Sequence, residues 1–356
     1  DACQALVEKY GDQATDPRVL GIVEVMRAQD PADPAGSIAR LDELGRSTRH
    51  LSATMALMWA AHFRENAGDP QGAIAAAERG LALVGPGDGP ALAAQLETAL
   101  ASLHAQLGHH RQAAEHARAA LPVLDLLEVA DDAIQVRSLL AVDAMASGDL
   151  DRAEVLLGEI ERIRTDRPGF GGVMGTGLAR AELALVRGEV EEGLRLYRSA
   201  VDELHEIRFP GMAENTGMEP WGLFGEAAGL TAYARYGAGD QGSDLYETLR
   251  GKVGQVIDGT RPHMDYPVAG VVLYGLGAWG LLRDVLPVDD AVRLLVLADR
   301  FGYARFTITM DPQPTLAEAE RRLPGLVARL QEEYGDGKGP DLLAEARAVV
   351  ERSLLS

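Results

Sequence analysis

The sequence predicts an all-α fold, an α-solenoid of helical hairpins stacked side by side, and three observations predict it. First, a Gly opens a polar turn at Gly68, Gly108, Gly148 and Gly188, a spacing of 40 residues each time. A fixed period between about 20 and 50 residues marks a repeat array. Second, small or apolar residues hold fixed offsets from that Gly. Ala61, Ala101, Ala141 and Ala181 stand seven before it, and Ala73, Ala113, Ala153 and Gly193 stand five after. Ala77, Ala117, Leu157 and Tyr197 follow, then Gly80, Ala120, Ile160 and Ala200. Third, aromatics are only 5% of the chain, while Ala, Leu, Glu and Arg, all good helix formers, are abundant.

Each turn has its own chemistry. The Gly accepts a left-handed backbone where the first helix stops. Asp69 and Asp149 then offer side-chain caps to the second helix, with His109 and Glu189 at the same place in the other two units. Pro70 suits a first helical turn. Small residues let the two helices of a hairpin approach closely, and one hairpin needs neighbours to bury its remaining apolar face.

The elements follow in chain order. Residues 1–50 read as a degenerate N-terminal part: a short helix to Tyr10, a second begun by Asp16-Pro17, and a third from Pro34 to Leu44. Residues 51–207 hold the four regular units, Leu51–Val84, Ala91–Leu127, Asp131–Ile163 and Leu178–Ile207. The Gly-rich run from Gly169 to Gly177 reads as a flexible connection before the fourth. Residues 208–356 are divergent repeats, with two long loops at Arg208–Pro220 and Asp258–Pro267. A hairpin of Val268–Asp284 and Val288–Phe301 follows, then a break at Phe306–Pro314. Helices at Leu316–Tyr334 and Pro340–Leu355 cap the array. At 40 residues, the unit exceeds the tetratricopeptide repeat of about 34, whose arrays wind into a right-handed superhelix.

Composition narrows the function. A net charge of −20 argues against nucleic-acid contact or an anionic membrane surface, both of which need basic faces. The single Cys3 excludes an internal disulfide framework and fits a reducing, cytoplasmic setting. The longest apolar stretch, Val268–Leu282, is too short to span a membrane. The chain opens on Asp1 rather than Met, and the expectation is a piece of a larger polypeptide.

Chemistry is sparse. The Gly-rich run lacks the strand and the spacing of a phosphate cradle, and no P-loop or nucleophile elbow occurs. His104, His109, His110 and His116 lack the paired spacing of a metal helix. No catalytic residue, cofactor or metal ligand is expected. In tetratricopeptide geometry the first helix of each unit lines a concave groove. That register places Met58, His62, Asn66, Gln95, Ser102, Gln106, Gln135, Met145, Glu182, Tyr233 and Arg283 along it, polar residues with adaptable Met that suit a protein, peptide or small ligand.

The stretches ENAGDPQGAIAAAERGLALV, HAQLGHHRQAAEHARAALP, GEVEEGLRLYRSAVDEL and AVRLLVLADRFGYARF resemble the C-terminal helical region of large actinobacterial SARP-type regulators. The resemblance implies a sensor array beside an ATPase switch and a DNA-binding domain, neither of which occurs in this chain. It implies an intramolecular or protein partner and signal-dependent control of transcription. A stand-alone scaffold is the alternative, and the sequence leaves a homo-oligomer open.

Overall fold

The computed structural model describes residues 2–85, 87–166, 170–207, 216–258 and 265–355, with side chains throughout except at 2–3 and 164–175. Most of the two long loops, and Gly169, lie outside the described residues. Those residues form eighteen α-helices and no strand. The solenoid is all-α.

The N-terminal helices are α1 (Ala2–Tyr10), α2 (Pro17–Arg27) and α3 (Pro34–Leu44). Asp16 caps α2 by accepting the Arg18 N–H at 2.7 Å, and Asp33 caps α3 through the Gly36 N–H at 2.9 Å. α2 and α3 are each held against the next helix, α4 (His50–Asn66), which begins the regular array.

The array continues with α5 (Pro70–Leu83), α6 (Pro90–Gln106), α7 (His110–Leu126), α8 (Ala130–Ala146), α9 (Leu150–Asp166), α10 (Phe170–Val186) and α11 (Val190–Glu206). They pair as four hairpins, α4 with α5 through α10 with α11. The four turn glycines have φ between +75° and +81°. Around them the chain makes the bonds of a Schellman turn. The Asp69 N–H reaches the Arg64 carbonyl and the Asp149 N–H the Ala144 carbonyl, both at 2.8 Å. Asp69 and Asp149 also cap the following helices, accepting from the Gly72 and Arg152 N–H groups at 3.0 and 3.1 Å. The recurring small positions are buried: Ala101, Ala141, Ala181, Ala73, Ala153 and Ala117 are at most 0% exposed, and Ala61 3%.

The Gly-rich run corrects the sequence reading. From Phe170 onward it is the start of α10, not a connection. Packing on α8 and α11 overrides the low helix propensity of Gly. At Gly177 the smallness is needed, since a Cβ there would lie 2.9 Å from that of Ala200 on α11.

Beyond the regular units come α12 (Pro220–Tyr236), α13 (Ser243–Ile257), α14 (Tyr266–Leu282) and α15 (Val288–Arg300). α14 is buried on nearly every side, against α15, α12 and α13. Added Cβ atoms at Gly275 and Gly277 would come within 3.1 Å of Ala227 O and 3.0 Å of Ala291 O, so these glycines let backbones on both flanks approach. No helix of the described residues is long and apolar enough to cross a membrane. The expected Leu316–Tyr334 helix is two, α16 (Gln313–Arg322) and α17 (Leu326–Tyr334), because Pro324 and the left-handed Gly325 (φ +76°) stop the first. α18 (Gly339–Ser353) ends the described array.

The two ends of the array meet. Between α15 and α16 the chain runs as a strap, residues 301–312, with one 3-10 turn at Ile308–Met310. The Gln106 amide donates to Gly302 O at 2.7 Å, and the Arg305 N–H donates to Gln106 O at 3.1 Å. Phe306 packs against cores from both halves of the chain. α14 touches α4, and Lys338 bridges to Asp69 at 2.5 Å. The strap therefore crosses the inner side of the array and floors it.

Candidate binding groove

Above that floor lies a pocket of about 420 Å³ between the first helices of three successive units. α4 contributes Met58, Trp59, His62 and Glu65, which share a face because they recur at helical spacing. α6 contributes Gln95, Thr98 and Ser102, α8 contributes Asp132 and Gln135, and the strap contributes Phe306. The Gln135 amide donates to Ser102 Oγ at 2.8 Å and ties α8 to α6 across the groove. The Trp59 and His62 rings meet edge to face at 5.8 Å. On the far side of that pair is a second cavity of about 510 Å³, lined by Phe63, Asn66, Ile38 and Tyr266 among others. Asn66 and His62 lie within 3.3 Å.

The electrostatics of the pocket are unusual. Glu65 is half-buried, and desolvation, with a further push from the negative Asp265, raises its pKa to about 7. Burial and the neighbouring Asp131 raise that of Asp132. Desolvation lowers the pKa of His62, although the residue as a whole is exposed. All three shifts favour the uncharged form.

The eleven residues placed along the groove by register divide into two sets. Met58, His62, Gln95, Ser102 and Gln135 line this pocket, and Asn66 lines the adjoining cavity. The other five are committed to intramolecular contacts. Gln106 is buried against Gly302, and Met145 is 3% exposed within the α6–α9 core. Glu182, 1% exposed, accepts from the Tyr197 hydroxyl and the Thr309 N–H. The Tyr233 hydroxyl donates to Leu194 O at 3.0 Å. Arg283 caps the end of α12, donating to Gly237 O at 2.8 Å and to Tyr233 O.

Sequence register did not single out Trp59, Glu65, Asp132 or Phe306. Glu65 was within reach of it, three residues beyond His62 on the same face. Phe306 was not, because no local pattern shows where the strap will run. The histidines also come together: the His104 and His116 rings stack at 5.3 Å, and His116 Nδ1 lies 2.6 Å from Glu97. Among the described residues no group of three or more His, Cys, Asp or Glu is placed to hold a metal ion. A larger cleft of about 670 Å³ beside α7, α8 and α9 has its central Arg137 already bonded to Asp125 and Glu159.

No family model matches the chain, and no curated protein matches it. Among solved structures, a Rap protein complexed with Competence and Sporulation Factor is similar in fold, with a TM-score of 0.60 and 11% sequence identity. The match covers 98% of this chain and 90% of that one. At that identity the likeness is one of fold: a tetratricopeptide-like array.

Proposed function

We propose that this chain is a non-enzymatic recognition module that takes an extended segment of a protein or peptide partner into the α4–α6–α8 groove. The observation carrying this reading is the pocket itself, where exposed amides of Gln95 and Gln135 stand above an apolar wall of Met58, Trp59 and Phe306. Such a lining suits a peptide, with the amides for its main chain and the wall for its side chains. A similar fold crystallised in complex with Competence and Sporulation Factor supports the same use.

Within a SARP-type regulator in the cytoplasm, the module would report on its partner to an ATPase and DNA-binding portion. Occupancy shifts such a switch only if the partner binds its two states with different affinity. The acidic surface opposes direct nucleic-acid contact. A second reading is a scaffold that stands alone and brings proteins together, for which the same tetratricopeptide-like fold would serve.

A photo-crosslinking residue placed at Gln135 tests the groove. It should capture a partner that the same residue at Arg111, on the outer face of α7, does not. Equal capture at both positions would sink the groove reading. Deleting the module from its parent gene then separates the two contexts: loss of signal-dependent transcription supports the regulator, and unchanged transcription supports the scaffold.

A further inference from the structure

We infer that the partner anchors itself through a lysine or arginine side chain, which enters the α4–α6–α8 pocket with Glu65 as its counter-charge. The inference rests on the groove reading above and names the chemistry that the groove selects.

Glu65 is the reason. Its carboxyl lines the pocket, yet among the described residues it has neither a hydrogen-bond nor an ion-pair partner. A half-buried carboxylate without a protein partner is partly desolvated, which makes it a ready partner for an incoming cation. Among the described residues, the titratable groups that face it do not help. Asp265, at the start of α14, adds negative charge, as does Asp132 across the pocket on α8. His62, one turn back on α4, is held toward its neutral form.

Among the described residues, the cations of this part of the fold are already engaged. Arg64 is bidentate to Asp42 at 3.1 and 2.5 Å, Lys338 pairs with Asp69, and Arg305 pairs with Asp299. Among the described residues, then, none supplies the positive charge that would complete this site, and a bound partner can.

The remaining walls match a long cationic side chain rather than a bare ion. Trp59 and Phe306 line the cavity with aromatic surface, which suits the alkyl stem and the charged head of such a side chain. The cavity of about 420 Å³ is far larger than a metal ion needs. An acidic side chain would add to the repulsion, and a purely apolar one would bury the carboxylate further without a partner.

The test is an mRNA-display selection of random peptides on the immobilised full chain, followed by affinity measurements on the enriched peptides. The expected peptides share a Lys or Arg at one position, and replacing it with norleucine or citrulline weakens binding about tenfold or more. Glu65→Gln should weaken the parent peptide to the same degree, with little further loss for the neutral peptide, while Arg111→Ala changes nothing. Thermal melting of Glu65→Gln, expected at or above the wild type, checks that it folds. Peptides that bind Glu65→Gln as tightly as the wild type, or that share no cation, overturn this inference but leave the groove intact. Peptides indifferent to Gln95→Ala and Gln135→Ala, or no enrichment at all, overturn the groove reading and this inference with it.

Discussion

The Glu182 carboxyl on α10 accepts the Thr309 backbone N–H with both oxygens at 3.2 Å, across 127 residues of chain. The Tyr197 hydroxyl donates to the same carboxyl. Glu182 was a candidate for the groove by register, and its bonds go to the strap instead. Burial raises its pKa, and the hydrogen bonds from Tyr197 and Thr309 pull against that shift. Glu182→Ala strands two donors in a buried site and should cost about 2–4 kcal/mol. Glu182→Gln keeps an acceptor and should cost less than about 1 kcal/mol. Urea unfolding of the two variants, with hydrogen exchange at Thr309, checks this. Equal losses would mean the carboxyl acts only by filling space.

Gln106 holds the other end of the strap. Gln106→Ala removes the bond to Gly302 O but leaves the backbone bond from Arg305, so the array should stay folded at a loss of about 1–3 kcal/mol. The specific readout is local: amide exchange over residues 302–306 should quicken while α8 and α9 keep their protection. Uniform quickening across the chain would contradict a local latch.

The four turn glycines share a left-handed backbone but not their surroundings. At Gly148 (φ +81°) an added Cβ meets nothing within 4 Å, so Gly148→Ala should cost only the backbone strain, about 1 kcal/mol. At Gly68 (φ +76°) the same Cβ would stand 3.1 Å from Tyr266 Cβ and 3.3 Å from Phe301 O. Gly68→Ala should lose roughly 2 kcal/mol or more, since this turn abuts the returning C-terminal half. Calorimetry on the pair decides. Equal destabilisation would show that the closure contact gives way freely.

The raised pKa of Glu65 makes stability depend on pH. Its carboxyl titrates at about 7 in the folded chain against an ordinary 4.5. Between those values the folded state holds a proton that the unfolded state has released, so stability falls as pH rises toward 7. Glu65→Gln abolishes that loss. Its advantage over the wild type should therefore grow from pH 4 to pH 8, by about 1–3 kcal/mol after allowance for partial solvent contact. A pH-independent difference in unfolding free energy would show that Glu65 titrates as an ordinary surface carboxyl.

Local signals explain what could be read in advance. Asp69 and Asp149 were legible as caps, and Asp16 as a helix start, because a cap is an oxygen two or three residues from the N–H whose bond it accepts; Asp33 caps α3 by the same rule. The Gly turns and buried Ala rows were legible because they repeat within 40 residues. The start of α10 was missed because propensity alone reads GFGGVMGTG as a linker, while packing on α8 and α11 makes it helix. The split at Gly325 lay in plain view as Pro324-Gly325.

The groove stands on the same divide. Register brought Met58, His62, Gln95, Ser102 and Gln135 to one face, because helix geometry and the repeat together fix where first-helix side chains point. Register could not say that Gln106 and Glu182 would spend their hydrogen bonds on a strap from the far end of the chain. The sequence by itself determined the hairpins, their turns and their period, all local consequences of φ, capping and side-chain size. Only the tertiary structure decided which inner surface remains open, because the strap reaches Gln106 from 196 residues away and such a contact leaves no periodic trace.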